Sequence, residues 1–149
     1  MIYLDTSVVV AYYCPEPLSG QAERCIRAHV SPAISDLTEV EIRSALSRKV
    51  RLGELRVEDA RKIASRFTVH IEDNLYRRLA LERRHYELAR DWLGRFDLTL
   101  RALDALHLAV AASEGLRLVT ADEALARSAK ALSVQAERLQ AKSQPGKAL

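Results

Sequence analysis

The sequence has few cysteines and no long hydrophobic run, and both absences restrict what the protein can be. Cys14 and Cys25 are its only cysteines and form no CxxC pair, which argues against a disulfide framework or a zinc site and favours a reduced, cytoplasmic protein. The longest apolar stretch, ALDALHLAVAA from Ala102, contains Asp104 and His107 and is too short to cross a membrane. No signal peptide is recognisable, so we expect no membrane association.

Several catalytic motifs are also missing from the chain. It contains no P-loop, no GxGxxG and no nucleophile elbow, so nothing indicates nucleotide-dependent phosphoryl transfer, dinucleotide chemistry or serine hydrolysis. His107 has no second histidine at metal-binding spacing. Zinc is therefore not expected, and we interpret His107 as a structural residue.

Basic residues are concentrated in the middle of the chain. The 149 residues carry a net charge of +3, but residues 43–84 contain twelve basic and six acidic side chains, against eleven basic and fourteen acidic in the remainder. A basic segment joined to an acidic remainder permits contact with phosphate backbones. Solvated helix faces are the alternative interpretation.

Short apolar segments alternate with helical patterns along the chain. The alternation predicts an α/β domain in which helices cover both faces of a small, mainly parallel sheet. Strands are expected at residues 2–4, 33–34, 68–71, 116–119 and 132–134, and helices at residues 22–26, 37–50, 57–67, 76–92, 103–113 and 123–131. The segment RLGELR from Arg51 predicts the turn of a helical hairpin. We expect the domain to cover residues 1–134 and a flexible tail to follow at residues 135–149.

Two acids follow predicted strands. Asp5 ends the first strand, and Asp122 comes shortly after the strand at residues 116–119. Ligands bind beyond the carboxyl ends of parallel strands, so both acids are candidate site residues. Each is also a favoured helix N-cap, and Thr120 with Glu123 spells a capping box. Helix capping therefore remains an alternative role for both aspartates.

Two further acids lie in predicted helices. Glu41 occurs in SDLTEVEIRSAL, where Thr38 with Glu41 also spells a capping box. Glu39 lies about 200° away around the helix, so it and Glu41 cannot share a face. Asp104 lies in an apolar helical run, well after any expected helix start, where an unpaired carboxylate would be costly. It therefore requires a cation, either Arg101 or a metal ion.

Four carboxylates in one site require a compensating positive charge, because they repel one another strongly. Oxygen ligands without nitrogen or sulfur select Mg²⁺ or Mn²⁺. Such ions activate water for attack on phosphorus, which suits a chain without a nucleophile motif. A phosphatase that uses Asp5 as its nucleophile is disfavoured, because position 7 is Ser7 rather than an acid and no lysine follows the last strand before Lys130.

Four segments in the same order resemble one known family. MIYLDTSVVVAYY, SDLTEVEIRSALSRKVRLGEL, LRALDALHLAVA and LVTADEALA together resemble the PIN-domain ribonucleases, in particular the VapC-type toxins of toxin–antitoxin pairs. The resemblance covers residues 1–132. It implies a PIN-like three-layer α/β domain with a small, mainly parallel sheet, in agreement with the alternation of strands and helices.

The resemblance also implies a catalytic site. In the family the metal-binding and catalytic acids correspond to Asp5, Glu41, Asp104 and Asp122 of this sequence, and the supporting hydroxyls to Thr6, Ser7 and Thr120. These acids would bind Mg²⁺ or Mn²⁺, one ion tightly and a second together with the RNA phosphate. Some relatives carry a further acid beyond the fourth, where this chain has Glu123 followed by Ala124-Leu125-Ala126.

The partners that the resemblance implies are an RNA substrate, a cognate antitoxin and a second copy of the chain. The antitoxin would lie across the helical hairpin near residues 50–55 and place an Arg or Lys in the acidic pocket. The implied function is a metal-dependent endoribonuclease that acts as a cytoplasmic toxin. A PIN-like scaffold that binds RNA or protein without cleavage is the alternative.

Overall fold

A five-stranded sheet forms the centre of the computed structural model, which describes residues 1–142. The strands are β1 (Ile2–Leu4), β2 (Ala33–Ser35), β3 (Arg77–Leu79), β4 (Arg117–Thr120) and β5 (Ala136–Arg138). Their order is β3-β2-β1-β4-β5, and every neighbouring pair is parallel. All carboxyl ends therefore lie at one edge, with β1 and β4 adjacent at the centre.

Seven helices within residues 1–142 cover the sheet. They are α1 (Thr6–Tyr13), α2 (Ser19–Arg27), α3 (Asp36–Arg51), α4 (Val57–Glu72), α5 (Arg83–Leu93), α6 (Ala102–Ser113) and α7 (Glu123–Ala131). No helix within residues 1–142 is long and apolar enough to span a membrane.

The pleat of β1 shows how both faces of the sheet are buried. Ile2 and Leu4 pack with α1 to α4 in one core, whereas Tyr3 points to the opposite face and packs with α5 to α7. Successive side chains of a strand point to opposite faces. Burial of both faces explains why this strand is continuously apolar. The predicted three-layer α/β domain with a parallel sheet is confirmed.

Two segments differ from the sequence prediction. Residues 68–71, predicted as a strand because the segment is short and apolar, continue α4, because Phe67 anchors that helix in the core with no exposed surface. Residues 76–92, predicted as one helix, contain β3 followed by α5. β3 is a short, exposed edge strand whose two arginines carry no apolar alternation, so its position depends on pairing with β2.

The sheet also continues past the predicted domain boundary at residue 134. The last strand lies at Ala136–Arg138 rather than at residues 132–134. It is joined to β4 by backbone hydrogen bonds from Leu118 to Gln135 and from Leu139 to Thr120. These bonds replace the apolar burial that the sequence of this polar edge strand lacks. Part of the predicted tail therefore belongs to the sheet, and residues 143–149 lie outside the described part of the chain.

The predicted turn between α3 and α4 is present and depends on Gly53. This glycine has a φ of 72°, in the left-handed region that side chains disfavour. Its amide donates to the carbonyl of Val50 and that of Glu54 to the carbonyl of Lys49, the hydrogen-bond pattern of a Schellman motif. The hairpin geometry is thus fixed by one glycine.

We expect Gly53→Ala to lower the free energy of unfolding by about 1 kcal/mol, because alanine disfavours a positive φ. Gly20→Ala is the matched control. Gly20 lies within α2, and an added Cβ would make only an ordinary contact with the Arg24 side chain. This change should therefore raise the free energy of unfolding by about 0.5 kcal/mol. Urea denaturation measures both values. Equal effects of the two substitutions would contradict the assigned role of Gly53.

Candidate active site at the carboxyl edge of the sheet

The four predicted acids line one cleft of about 580 Å³ at the carboxyl edge of the sheet. Asp5 follows β1 and Asp122 follows β4, the two central strands, while Glu41 comes from α3 and Asp104 from α6. Glu39 does not line the cleft. The strand order therefore places two acids side by side, and two helices bring the others.

Two hydroxyl groups hold the carboxylate of Asp5. Its Oδ2 accepts hydrogen bonds from Ser7 Oγ at 2.6 Å and from Thr120 Oγ1 at 2.8 Å. Asp5 occupies the N-cap position of α1, but its side chain makes no capping hydrogen bond. Only 5% of the residue is exposed. The carboxylate is thus oriented by the predicted supporting hydroxyls rather than used to cap the helix.

Asp122, in contrast, does cap its helix. Its Oδ1 accepts a hydrogen bond from the amide of Leu125 at 3.1 Å. The predicted capping box is wrong, because the Thr120 hydroxyl donates to Asp5 and accepts from the Asp122 amide. Glu123 lies outside the cleft lining. Thr120 therefore links the acids that follow β1 and β4.

The structure separates Glu41 from Glu39 as the helix geometry predicts. Glu41 lines the cleft, whereas Glu39 forms an ion pair with Arg78 at 2.6 Å. The predicted capping box of Thr38 with Glu41 is wrong, because α3 begins at Asp36 and Thr38 already lies in its first turn. The backbone amide of Ser35 donates to the Thr38 hydroxyl instead.

A buried histidine that was interpreted as structural contacts the site directly. His107 has no exposed surface, and its Nε2 is hydrogen-bonded to Oε1 of Glu41. Its Nδ1 is hydrogen-bonded to the hydroxyl of Tyr3 at 2.6 Å, which in turn contacts Ser35 Oγ at 2.7 Å. Thr6 Oγ1 also donates to Glu41, at 2.9 Å. The sequence signal was the spacing of one helical turn between Asp104 and His107.

The charges around this pair shift both of its pKa values. Burial alone would lower the pKa of His107, but the hydrogen bond to Glu41 and the charge of Asp5 raise it above its ordinary value. Burial alone would raise the pKa of Glu41, but its bonds to His107 and Thr6 lower it. A protonated imidazole beside an ionised Glu41 is therefore favoured, and it offsets part of the acidic charge.

Asp104 has less compensation than the other acids. It lies in the first turn of α6, not in the helix interior as predicted, and the helix N-terminus there favours negative charge. Burial, followed by the charges of Asp5 and Asp122, raises its pKa. Arg101 Nε lies 3.7 Å from Oδ2, but that arginine side chain is 87% exposed, so solvent screens the pair. Asp104 is thus the acid of the cleft whose negative charge is least compensated.

The side chains offer a hard cation the right chemistry but no ready-made ligand set. Within residues 1–142, no group of three or more His, Cys, Asp or Glu side chains is arranged to hold a metal ion. All four acids nevertheless line one cleft, and the charges of Asp5 and Asp122 disfavour ionisation of Asp104. Carboxylate oxygens are the donors that Mg²⁺ and Mn²⁺ prefer. The donor types therefore fit such an ion, and binding would require their rearrangement.

The fold and the site together define the class of protein. It is an α/β domain that presents acidic side chains at the carboxyl edge of a parallel sheet. The PIN domain matches residues 2–131. The chain is 33% identical over 136 residues to Ribonuclease VapC46 of Mycobacterium tuberculosis, covering 89% of this chain and 93% of that protein. The chain therefore belongs to the PIN-domain family. The family resemblance predicted from four sequence segments is confirmed.

Solved structures share the same fold. FitAcB from Neisseria gonorrhoeae matches with a TM-score of 0.70 and 20% sequence identity, covering 91% of this chain and 96% of that chain. A toxin–antitoxin complex from Klebsiella pneumoniae matches with a TM-score of 0.58 and 17% identity, covering 82% and 87%, respectively. At these identities the likeness establishes the fold.

We expect Asp104→Asn to stabilise the protein in EDTA at about pH 7. The folded state raises the pKa of Asp104, so ionisation of this carboxyl weakens the fold as pH rises through the ordinary aspartate range. Asparagine removes that ionisation. The gain in melting temperature should shrink as the pH falls below about 4, where the Asp104 carboxyl is protonated in both the folded and the unfolded wild type.

Thermal denaturation followed by circular dichroism across this pH range measures the effect. Asp91→Asn is the control, because Asp91 is exposed on α5 outside the cleft lining, and it should give no comparable gain. A melting temperature of Asp104→Asn at or below that of the wild type at neutral pH would contradict the electrostatic account.

Proposed function

We propose that the protein is a metal-dependent endoribonuclease that acts as the toxin of a toxin–antitoxin pair. One observation carries this proposal, namely that four carboxylates, two following β1 and β4 and two on α3 and α6, line one cleft of a PIN domain. Its support from relatives is the 33% identity to a protein named as a ribonuclease. Cytoplasmic location and homodimerisation stay predictions from the family resemblance.

The residues that would hold Mg²⁺ or Mn²⁺ are Asp5, Glu41, Asp104 and Asp122. When bound, such an ion supplies Lewis-acid activation of the phosphodiester and of the attacking water. Its charge would also offset the repulsion that raises the pKa of Asp104. A bound cation would therefore favour the ionised form of Asp104.

The remaining polar side chains have positioning roles in this proposal. Ser7 and Thr120 hold one oxygen of Asp5, so its second oxygen keeps a defined direction. His107 and Thr6 hold one oxygen of Glu41 in the same way. Hydrogen bonds of this kind orient carboxylate ligands and restrict their rotamers. One oxygen of each acid is thus held by hydrogen bonds, and the second oxygen of Asp5 lies 3.8 Å from Nε2 of His107.

One observation favours a second candidate function. The acids are not arranged to hold a metal ion as they stand within residues 1–142, which would also suit a PIN-like scaffold that binds RNA or protein without cleavage. The two functions differ in one consequence. Neutralising an acid abolishes cleavage in a nuclease, but it leaves RNA binding by a scaffold unchanged or improves it.

We expect Asp5→Asn and Asp104→Asn each to reduce RNA cleavage at least about 100-fold, because each removes a carboxylate from the metal-binding set. The assay uses purified, antitoxin-free protein on total cellular RNA with Mg²⁺ or Mn²⁺, and EDTA should abolish cleavage by the wild type. Discrete fragments mapped at their ends would identify the target.

The matched pair for this assay is Glu41→Gln and Glu39→Gln. Both lie on α3, but only Glu41 lines the cleft, and Glu39 is paired with Arg78. Glu41→Gln should reduce cleavage strongly and Glu39→Gln by less than about twofold. Full cleavage by both aspartate variants would refute the assigned site. No cleavage by well-folded wild type across total RNA would favour the scaffold.

The groove between α3 and α4 is the proposed antitoxin site. It has a volume of about 320 Å³ and lies partly within the predicted hairpin segment at residues 50–55. Its apolar lining ends in a basic rim, which suits an amphipathic helix with acidic flanks. The apolar residues are Leu46, Val50, Val57, Ala60 and Ala64, and the rim residues are Arg43, Arg51 and Arg61.

We expect Val57→Asp to weaken binding of the cognate antitoxin at least about tenfold, because the change places an unpaired charge against an apolar helix face. Val69→Asp is the control, since Val69 is exposed on the same helix but does not line the groove. Isothermal titration calorimetry compares the two affinities. Equal losses in both variants would move the antitoxin site elsewhere.

A further inference from the structure

Two arginines line the cleft on the side where α3 leaves the acids. Arg48 and Arg51 are the only basic residues of its lining within the described chain. They lie seven and ten residues beyond Glu41 on the same helix, about 10 and 15 Å along its axis. Ser44 and Ala45, which also line the cleft, fill the intervening face. The cleft therefore runs along α3 from an acidic centre to a basic end.

The charges of these two arginines are not neutralised by acids in residues 1–142. Neither forms an ion pair there, and Arg51 Nη1 donates a hydrogen bond to the neutral hydroxyl of Ser47 at 2.8 Å. Glu16 also lines the cleft, but Lys49 Nζ pairs with it at 3.2 Å. The negative charge of Glu16 is thus offset by Lys49 rather than by either arginine.

Four other arginines of the basic segment differ in this respect, whereas Arg43, Arg61, Arg66 and Arg77 lie outside the cleft lining. The four are held by acids on the surface outside the cleft. These pairs are Arg56 with Asp59, Arg78 with Glu39, Arg83 with Glu87 and Arg84 with Glu82. The segment as a whole is basic, and it contributes unpaired positive charge to the acidic cleft through Arg48 and Arg51.

We propose that Arg48 and Arg51 form a phosphate track that seats the RNA backbone beside the acidic centre. The inference deepens the proposed nuclease function and depends on it. Carboxylates repel phosphate, so binding of the substrate requires positive charge beside them. Guanidinium groups suit this role, because their planar fork donates two hydrogen bonds to one phosphate. One RNA strand thus lies along α3, with its scissile bond at the acids.

A structural role at the helix C-terminus is the competing account. Arg48 and Arg51 lie in the last turn of α3, where positive charge stabilises the helix dipole. That role predicts a lower melting temperature on substitution and no change in RNA binding. The phosphate track predicts that substitution weakens RNA binding and reduces its salt dependence. The salt dependence of RNA binding therefore separates the two accounts.

The test measures binding of a fluorescein-labelled single-stranded RNA of mixed sequence to the Asp104→Asn protein in EDTA, conditions in which we expect no cleavage. Fluorescence anisotropy is recorded over a series of KCl concentrations. Arg48→Gln and Arg51→Gln should each reduce the slope of log Kd against log salt by about 0.7, the value for one phosphate contact on a single strand. Their combination should reduce the slope by about 1.4. Arg48→Lys and Arg51→Lys should retain it.

Arg90→Gln is the matched control for net charge. Arg90 lies on α5 outside the cleft lining, and its loss should leave the slope unchanged. Unchanged slopes in Arg48→Gln and Arg51→Gln would overturn the phosphate track while cleavage by the wild type still supports the nuclease. Equal slope losses in Arg90→Gln would also overturn it, because they would reflect net charge alone. Absence of both RNA binding and cleavage in the wild type would refute the nuclease itself.

Discussion

Repulsion between carboxylates at the carboxyl edge of the sheet is the constraint on which the site depends. The order of strands places β1 beside β4, so Asp5 and Asp122 are neighbours by topology. Asp5 is almost fully buried, and an unsatisfied buried carboxylate is costly. Ser7 and Thr120 supply the hydrogen bonds that make this position tolerable. The hydroxyls thus stabilise the buried carboxylate and also fix its orientation.

Buried polar contacts also connect the site with the core between the sheet and α5 to α7. Strand alternation turns Tyr3 toward α6, where its hydroxyl contacts both Ser35 and His107. His107 then reaches Glu41 on the opposite helix layer. A chain of buried polar groups therefore crosses the sheet edge from one layer to the other. Buried polar groups persist only when their partners are satisfied, so this chain fixes the relative positions of α3 and α6.

The four acids could be predicted from sequence because they occupy four motifs in the order found in one family, whereas the local patterns alone left helix capping open. Asp5 ends an apolar strand, and helix geometry places Glu39 and Glu41 on different faces. The choice of Glu41 over Glu39 came from the family resemblance. The role of His107 could not be predicted from sequence, because its partners Tyr3 and Glu41 are distant in sequence and meet only through the parallel sheet.

The edge strands were missed for a related reason. Both β3 and β5 are polar, so their sequences lack the apolar signal of a strand. Backbone pairing with β2 and β4 positions them instead. Similarly, the β-branched residues after Phe67 favour a strand by propensity, but α4 retains them because the helix is anchored in the core.

Affinity for RNA and chemistry on RNA make opposite electrostatic demands on one cleft. A centre that attracts cations must also repel the phosphate on which it acts, and a uniform charge cannot satisfy both requirements. Placing the two signs along one helix resolves the conflict, because α3 presents Glu41 at the centre and Arg48 two turns away. Glu16, which also lines the cleft, is paired with Lys49, so neither arginine has an acidic partner within residues 1–142. One helix thus orders the acids and the arginines of the cleft, and its position depends on the buried contacts of His107.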